Sequence, residues 1–167
     1  VAEELGVTAV YNDPKALCAD PNVEAVAIIT HTASHVEMIK IAMDAGKHVF
    51  CEKPLADTVE KCKEAEAIIA AHPELTFMLG FMRRYDHSYQ VAKKKMENGD
   101  IGDVLLVRCY SQDPISIIEG TLEYAPRSGG QFIDMSIHDF DLIRWLTGSE
   151  VKELWATGGC YEFKQYK

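Results

Sequence analysis

The chain has 167 residues, 47% of them hydrophobic and 26% charged, with a formal net charge of −9. That is the composition of a globular protein able to bury a core, and its acidic balance excludes nucleic acid as a partner. No apolar run approaches membrane-spanning length, and five widely spaced cysteines without a C-x-x-C point to reduced thiols in a cytoplasmic protein.

Val1–Gly6 reads as the last turn of a helix closed by glycine, with no start signal ahead of it. Glu24–Thr30 is a nearly continuous apolar run, as in a strand buried on both faces. A helix follows over Ser34–Ala45, with Val36, Ile39, Ala42 and Met43 at helical spacing and Gly46 as its stop. His48–Cys51 is a second strand. The next helix runs from Asp57 or Thr58 to Ala71, with Asp57 as N-cap and Glu60 completing a capping box. Thr76–Gly80 is a third strand. Strand–helix alternation of this kind predicts parallel strands joined by crossovers in a doubly wound α/β sheet.

The pattern changes near residue 86. His87–Asn98 reads as a helix, carrying Lys93-Lys94-Lys95 as a solvated face, and Val104–Ser111 as a longer strand. A loop over Asp113–Gly130 leads to a helix over Gln131–Leu146, and Val151–Cys160 is strand-like. We therefore expect residues 1–86 to be part of a Rossmann-type domain and 87–167 to be the start of an α+β domain. Both ends read as interior sequence, so the chain is expected to be an internal fragment.

Two places carry chemistry. In Gly46-Lys47-His48-Val49-Phe50-Cys51-Glu52-Lys53-Pro54 an apolar strand ends in a lysine between an acid and a proline. Ligands bind at the carboxyl ends of such strands, and the proline restricts Lys53 to extended backbone. On one continuous helix, Asp134, His138, Asp141 and Trp145 fall at i, i+4, i+7 and i+11, a polar stripe among apolar neighbours. A carboxylate one turn from an imidazole can orient it as a general base. The same row also reads as a structural Asp–His pair or, lacking a matching row elsewhere, as a poor metal site. Arg83, just beyond a strand end, can grip hydroxyls or form a salt bridge with Asp86. His31 and His35 read as polar loop residues.

The block Ala45–Ala56 (A-G-K-H-V-F-C-E-K-P-L-A) and the block Gly129–Gly148 (G-G-x-x-x-D-x-x-x-H-D-x-D-x-x-x-W-L-x-G) together resemble the Gfo/Idh/MocA family, NAD(P)-dependent oxidoreductases of sugars and cyclitols. Phe81–Asp86 and Gln112-Asp113-Pro114 look most like its inositol 2-dehydrogenase branch. The resemblance implies that Lys53 contacts both nicotinamide and substrate, and that the Lys53–Pro54 peptide is cis. It implies His138 as general base, Asp134 holding substrate and His138, and Arg83, Asp113 and Asp141 on ring hydroxyls. Thr30, His35, Glu52 and Pro54 would lie along the cofactor, NAD or NADP, with no metal. The intact protein would be a homo-oligomer, a dimer or tetramer.

Two departures stand out. Thr30-His31 replaces the usual Thr-Pro after the first strand, and no G-x-G-x-x-G occurs in the chain. That loop anchors the dinucleotide pyrophosphate at a helix N-terminus. The 167 residues alone are therefore expected to bind cofactor poorly and to be inactive. Other readings of the intact protein are a different sugar or diol dehydrogenase of the family, or a non-catalytic nucleotide-binding regulator or scaffold.

Overall fold

A computed structural model describes residues 2–159, which divide into two compact units between Gly80 and Phe81.

The first unit holds a parallel sheet of three strands, β1 (Ala25–Ile28), β2 (His48–Cys51) and β3 (Phe77–Leu79), in the order β1-β2-β3. Ala25 pairs with His48 and Ile28 with Cys51, while Val49 pairs with Phe77 and Cys51 with Leu79. Helices α1 (Pro14–Ala19), α2 (His35–Asp44) and α3 (Val59–Ala70) supply the connections. The apolar stripe of α2 buries Val36, Ile39, Ala42 and Met43, as its spacing predicts, against Ile28, Val49 and Cys51 of the strands. Gly46 ends that helix at a φ of +73°, where its N–H reaches Met43 O and the Lys47 N–H reaches Ala42 O.

Two local expectations change here. Helix α1, absent from the periodic reading, starts on Asp13, whose side chain accepts from the Lys15 N–H, with Pro14 in the first turn. Helix α3 is capped by Thr58 rather than Asp57: its side chain accepts from the Lys61 N–H, and Asp57 instead pairs with the Lys61 ammonium. Glu60 therefore completes no capping box.

The second unit opens with a 3₁₀ turn, Met82–Tyr85, and α4 (His87–Glu97), capped by Asp86 through the N–H groups of Ser88 and Tyr89. The expected loop over Asp113–Gly130 contains α5 (Ile118–Tyr124). The expected helix over Gln131–Leu146 is two helices, α6 (Gln131–Asp134) and α7 (Ile137–Thr147). The hydrogen-bond ladder slips between them: the Ser136 N–H reaches back to Gln131 O, and the His138 N–H restarts from Met135 O.

The strand expected over Val104–Ser111 is absent, as is regular structure over 151–159 of the expected Val151–Cys160 strand; Cys160 lies outside the described residues. A strand needs a neighbour to satisfy its N–H and C=O groups. Among the described residues neither segment has one, and Leu105, Leu106, Tyr110, Leu154 and Trp155 are exposed.

Candidate active site

In the first unit the sequence-predicted residues gather at the carboxyl ends of β1 and β2. Thr30 lies two residues past β1 and is exposed; Glu52 and Lys53 follow β2 directly and are half-buried. The sheet ladder extends to this edge, with the Glu52 N–H on Ile28 O at 3.0 Å and the Gly80 N–H on Cys51 O at 2.8 Å. A Cβ on Gly80 would lie 3.0 Å from Phe50 Cζ and 3.3 Å from Cys51 O, so a larger residue there would push the Phe50 ring aside by a few tenths of an ångström. The Lys53–Pro54 peptide is cis. Burial pushes the Cys51 thiol up to about 12, with the Glu52 charge adding to it, so Cys51 is no nucleophile.

The loop after β1 is tightly bonded. Thr30 Oγ1 and Ser34 Oγ share a hydrogen bond of 2.8 Å, and Ser34 Oγ donates to His31 O at 2.8 Å. His35 is 1% exposed. Its Nδ1 lies 2.8 Å from Pro54 O and its Nε2 lies 3.1 Å from Thr30 O. Both ring nitrogens are thus occupied by main chain, which sets His35 apart from the exposed Thr30 as a candidate for touching a ligand.

In the second unit, α7 carries His138, half-buried in its first turn, and Asp141, 6% exposed. Asp134 belongs to α6, so the predicted row is carried on two helices. Asp141 is gripped by Arg84 in a two-pronged pair, Nε to Oδ2 at 2.8 Å and Nη2 to Oδ1 at 2.5 Å. That carboxylate raises the Arg84 pKa further above its ordinary value. Arg83 reaches Asp139 rather than Asp86 through Nη1, and its Nη2 donates to Ser111 Oγ at 2.9 Å. Ser111 Oγ in turn lies 2.8 Å from Asp139 Oδ2. Asp113 is exposed, in a stretch without regular structure.

Sequence reasoning misses Arg84, Ser111 and Asp139. Asp139 adjoins His138, and Arg84 adjoins Arg83, but neither spacing reveals which acid meets which base. Ser111 carries no signal at all. Among the described residues no group of three or more His, Cys, Asp or Glu is placed to hold a metal ion, and no helix is long and apolar enough to cross a membrane.

A parallel sheet presenting a lysine at its carboxyl edge, followed by a unit bearing an Asp and a His on consecutive short helices, defines an α/β architecture with candidate acid–base residues in its second unit. Residues 1–81 match the oxidoreductase-family model for the NAD-binding Rossmann fold, and residues 89–164 match the GFO/IDH/MocA C-terminal domain. The chain belongs to the Gfo/Idh/MocA family. It is 42% identical to the myo-inositol 2-dehydrogenase of Thermotoga maritima over 163 residues, covering 93% of this chain and 46% of that protein. It is 38% identical to the scyllo-inositol 2-dehydrogenase (NAD(+)) of Bacillus subtilis over 153 residues, covering 90% and 43%. Among solved structures, the scyllo-inositol dehydrogenase of Lactobacillus casei with bound NAD(H) and scyllo-inositol superposes with a TM-score of 0.81 at 44% identity. That match covers 88% of this chain and 44% of the other. The chain therefore spans less than half the length of these relatives.

Proposed function

We propose that the intact protein is an NAD(P)-dependent dehydrogenase that transfers hydride between a ring hydroxyl of a cyclitol or sugar and nicotinamide, with an inositol as the leading substrate. The observation that carries this is the family match in both units together with Lys53, Asp134 and His138 standing at the motif positions. Inositol dehydrogenases among the similar proteins support the substrate class.

The edge after β1 and β2 suits a nicotinamide: an exposed Thr30 hydroxyl, a half-buried carboxylate at Glu52 and a cation at Lys53 lie at strand ends. A nicotinamide held there would supply the hydride acceptor. His138 takes the hydroxyl proton as general base, and Asp134 holds substrate and imidazole. The Lys53 ammonium favours the alkoxide as the proton leaves. Arg83, Asp113 and Asp141 contact further hydroxyls, and Asp141, with both oxygens on Arg84, also holds α7. Residues 1–86 serve the dinucleotide domain and 87–167 the substrate domain. The protein works as a homo-oligomer and in the cytoplasm, a compartment that keeps thiols such as Cys18, Cys51, Cys62 and Cys109 reduced.

The test is a panel of cyclitols and sugars with NAD and NADP, read by reduced-nicotinamide absorbance, on the intact protein and on His138→Ala and Lys53→Ala. The expected result is oxidation of a cyclitol, with kcat falling by about 10²–10⁴-fold in either variant while cofactor affinity changes less than about threefold. No turnover with any polyol, or turnover indifferent to both substitutions, overturns the reading and favours a nucleotide-binding regulator.

A further inference from the structure

We infer that His35 is a positioning residue for Lys53, acting through the carbonyl of Pro54 rather than by touching the cofactor. The inference rests on the dehydrogenase reading above and deepens it.

Three observations lead there. The imidazole is 1% exposed, and the polar side chains at the strand ends beside it, Thr30 and Glu52, are more open. A group this buried presents no face to a dinucleotide. Its Nδ1 lies 2.8 Å from Pro54 O, and since a carbonyl can only accept, Nδ1 is the donor wherever this shorter bond is made, as Nε2 is wherever the bond to Thr30 O is made. The Nε2 contact to Thr30 O, at 3.1 Å, is the longer of the two.

The connectivity gives the bond its consequence. His35 is the first residue of α2, whose Val36, Ile39, Ala42 and Met43 are seated in the apolar core. Pro54 is buried and adjoins Lys53, which has just left β2. The ring therefore ties the segment carrying the lysine to the most firmly packed helix of the unit. Without it, the segment carrying Lys53 would lose its tie to α2, and the Thr30–Ser34 turn would lose its contact with the same segment. Misplacing a catalytic group by about 1 Å can cost about 10²-fold in rate, so a bond that sets its backbone is visible in turnover.

The two nitrogens can be separated by substitution. An asparagine amide nitrogen superposes on Nδ1, and a glutamine amide nitrogen superposes on Nε2. In the intact protein, His35→Leu is expected to lower kcat by about 10–100-fold with KM for the polyol moving less than about threefold. His35→Asn is expected to recover most of that loss, and His35→Gln little of it. In a Lys53→Ala background His35→Leu should add almost nothing, because the effect passes through the lysine. A readout independent of turnover is amine labelling followed by mass spectrometry: His35→Leu should change Lys53 labelling at least about threefold and leave the exposed Lys40 unchanged.

If the unsubstituted protein oxidises no polyol, the functional reading fails, and the labelling arm still decides the position of Lys53. If it turns over and His35→Leu is fully active, or adds its full loss to Lys53→Ala, the inference is wrong. Rescue by glutamine and not by asparagine overturns it too, by moving the role to Thr30. Should His35→Leu fail to fold, the asparagine–glutamine contrast carries the same decision.

Discussion

The two units keep their shape by different means. Up to Gly80, buried apolar side chains from Cys18 to Ala65 form one cluster, with Leu17, Val26, Ile68, Leu75 and Phe77 packed around it. Beyond Phe81, among the described residues, Leu142 is the one buried hydrophobic side chain, accompanied by Ser128 and Asp141. There the 3₁₀ turn Met82–Tyr85 and α7 are joined by charge, Arg83 to Asp139 and Arg84 to Asp141. The hydrophobic effect is non-directional and scales with buried area, whereas a two-pronged guanidinium–carboxylate pair fixes direction. The second unit holds its helix by the second means, and that helix carries the proposed base.

Four measurements bear on this contrast. The largest effect belongs to the first unit: Ile39→Ala, at a fully buried site, should cost about 3 kcal/mol in a denaturation followed by circular dichroism. A loss below about 1 kcal/mol would mean that the cluster is not what holds the sheet. Next comes Arg84→Ala, which strands a carboxylate that is 6% exposed and should cost about 2 kcal/mol, the guanidinium itself being 39% exposed. Both tryptophans, Trp145 and Trp155, follow Phe81, so their fluorescence reports that unit alone. The double substitution Arg84→Met with Asp141→Leu should recover most of the loss; if it is as unstable as Arg84→Ala, charge pairing is not the cause. Ser111→Ala removes a hydroxyl shared by Arg83 and Asp139 and should cost about 1 kcal/mol by the same fluorescence.

The smallest effect at neutral pH concerns Cys51. Its thiol is pushed from 9.0 up to about 12 by burial, so it stays protonated in the fold while the unfolded chain ionises near pH 9. The associated stability is complete below pH 9 and is lost as pH rises toward 12. Cys51→Ala should flatten that alkaline decline, and a slope identical to that of the unsubstituted protein would refute the assignment.

The same contrast governs how much the sequence discloses. Strand β2 and helix α2 emerge with nearly their observed limits, because burial on both faces or along one stripe writes a period into the residues. The stop at Gly46 and the cap at Asp86 are equally local. Helix α1 escapes the periodic reading because it is one and a half turns long, although Asp13-Pro14 marks its start. In the second unit the decisive facts are pairings between distant side chains, Arg84 with Asp141 and Ser111 with Asp139, and no spacing rule predicts them. The break at Met135–Ser136 follows from a one-residue slip in hydrogen bonding, to which a smooth helical pattern is blind. Likewise, alternating apolar residues over Val104–Ser111 state a preference for a strand but cannot supply its partner. At the site, Lys53 and His138 are legible as residue types in suggestive places. That His35 faces main chain on both sides is not.

The register of the sheet also sets an order of events. Ala25 meets His48 and Val49 meets Phe77, each across a full intervening helix, so no strand pair here closes through a short turn. Such separations make each pairing non-local, with more loop entropy to offset than a hairpin would carry. On the ribosome, the sheet of the first unit cannot close until Leu79 has emerged.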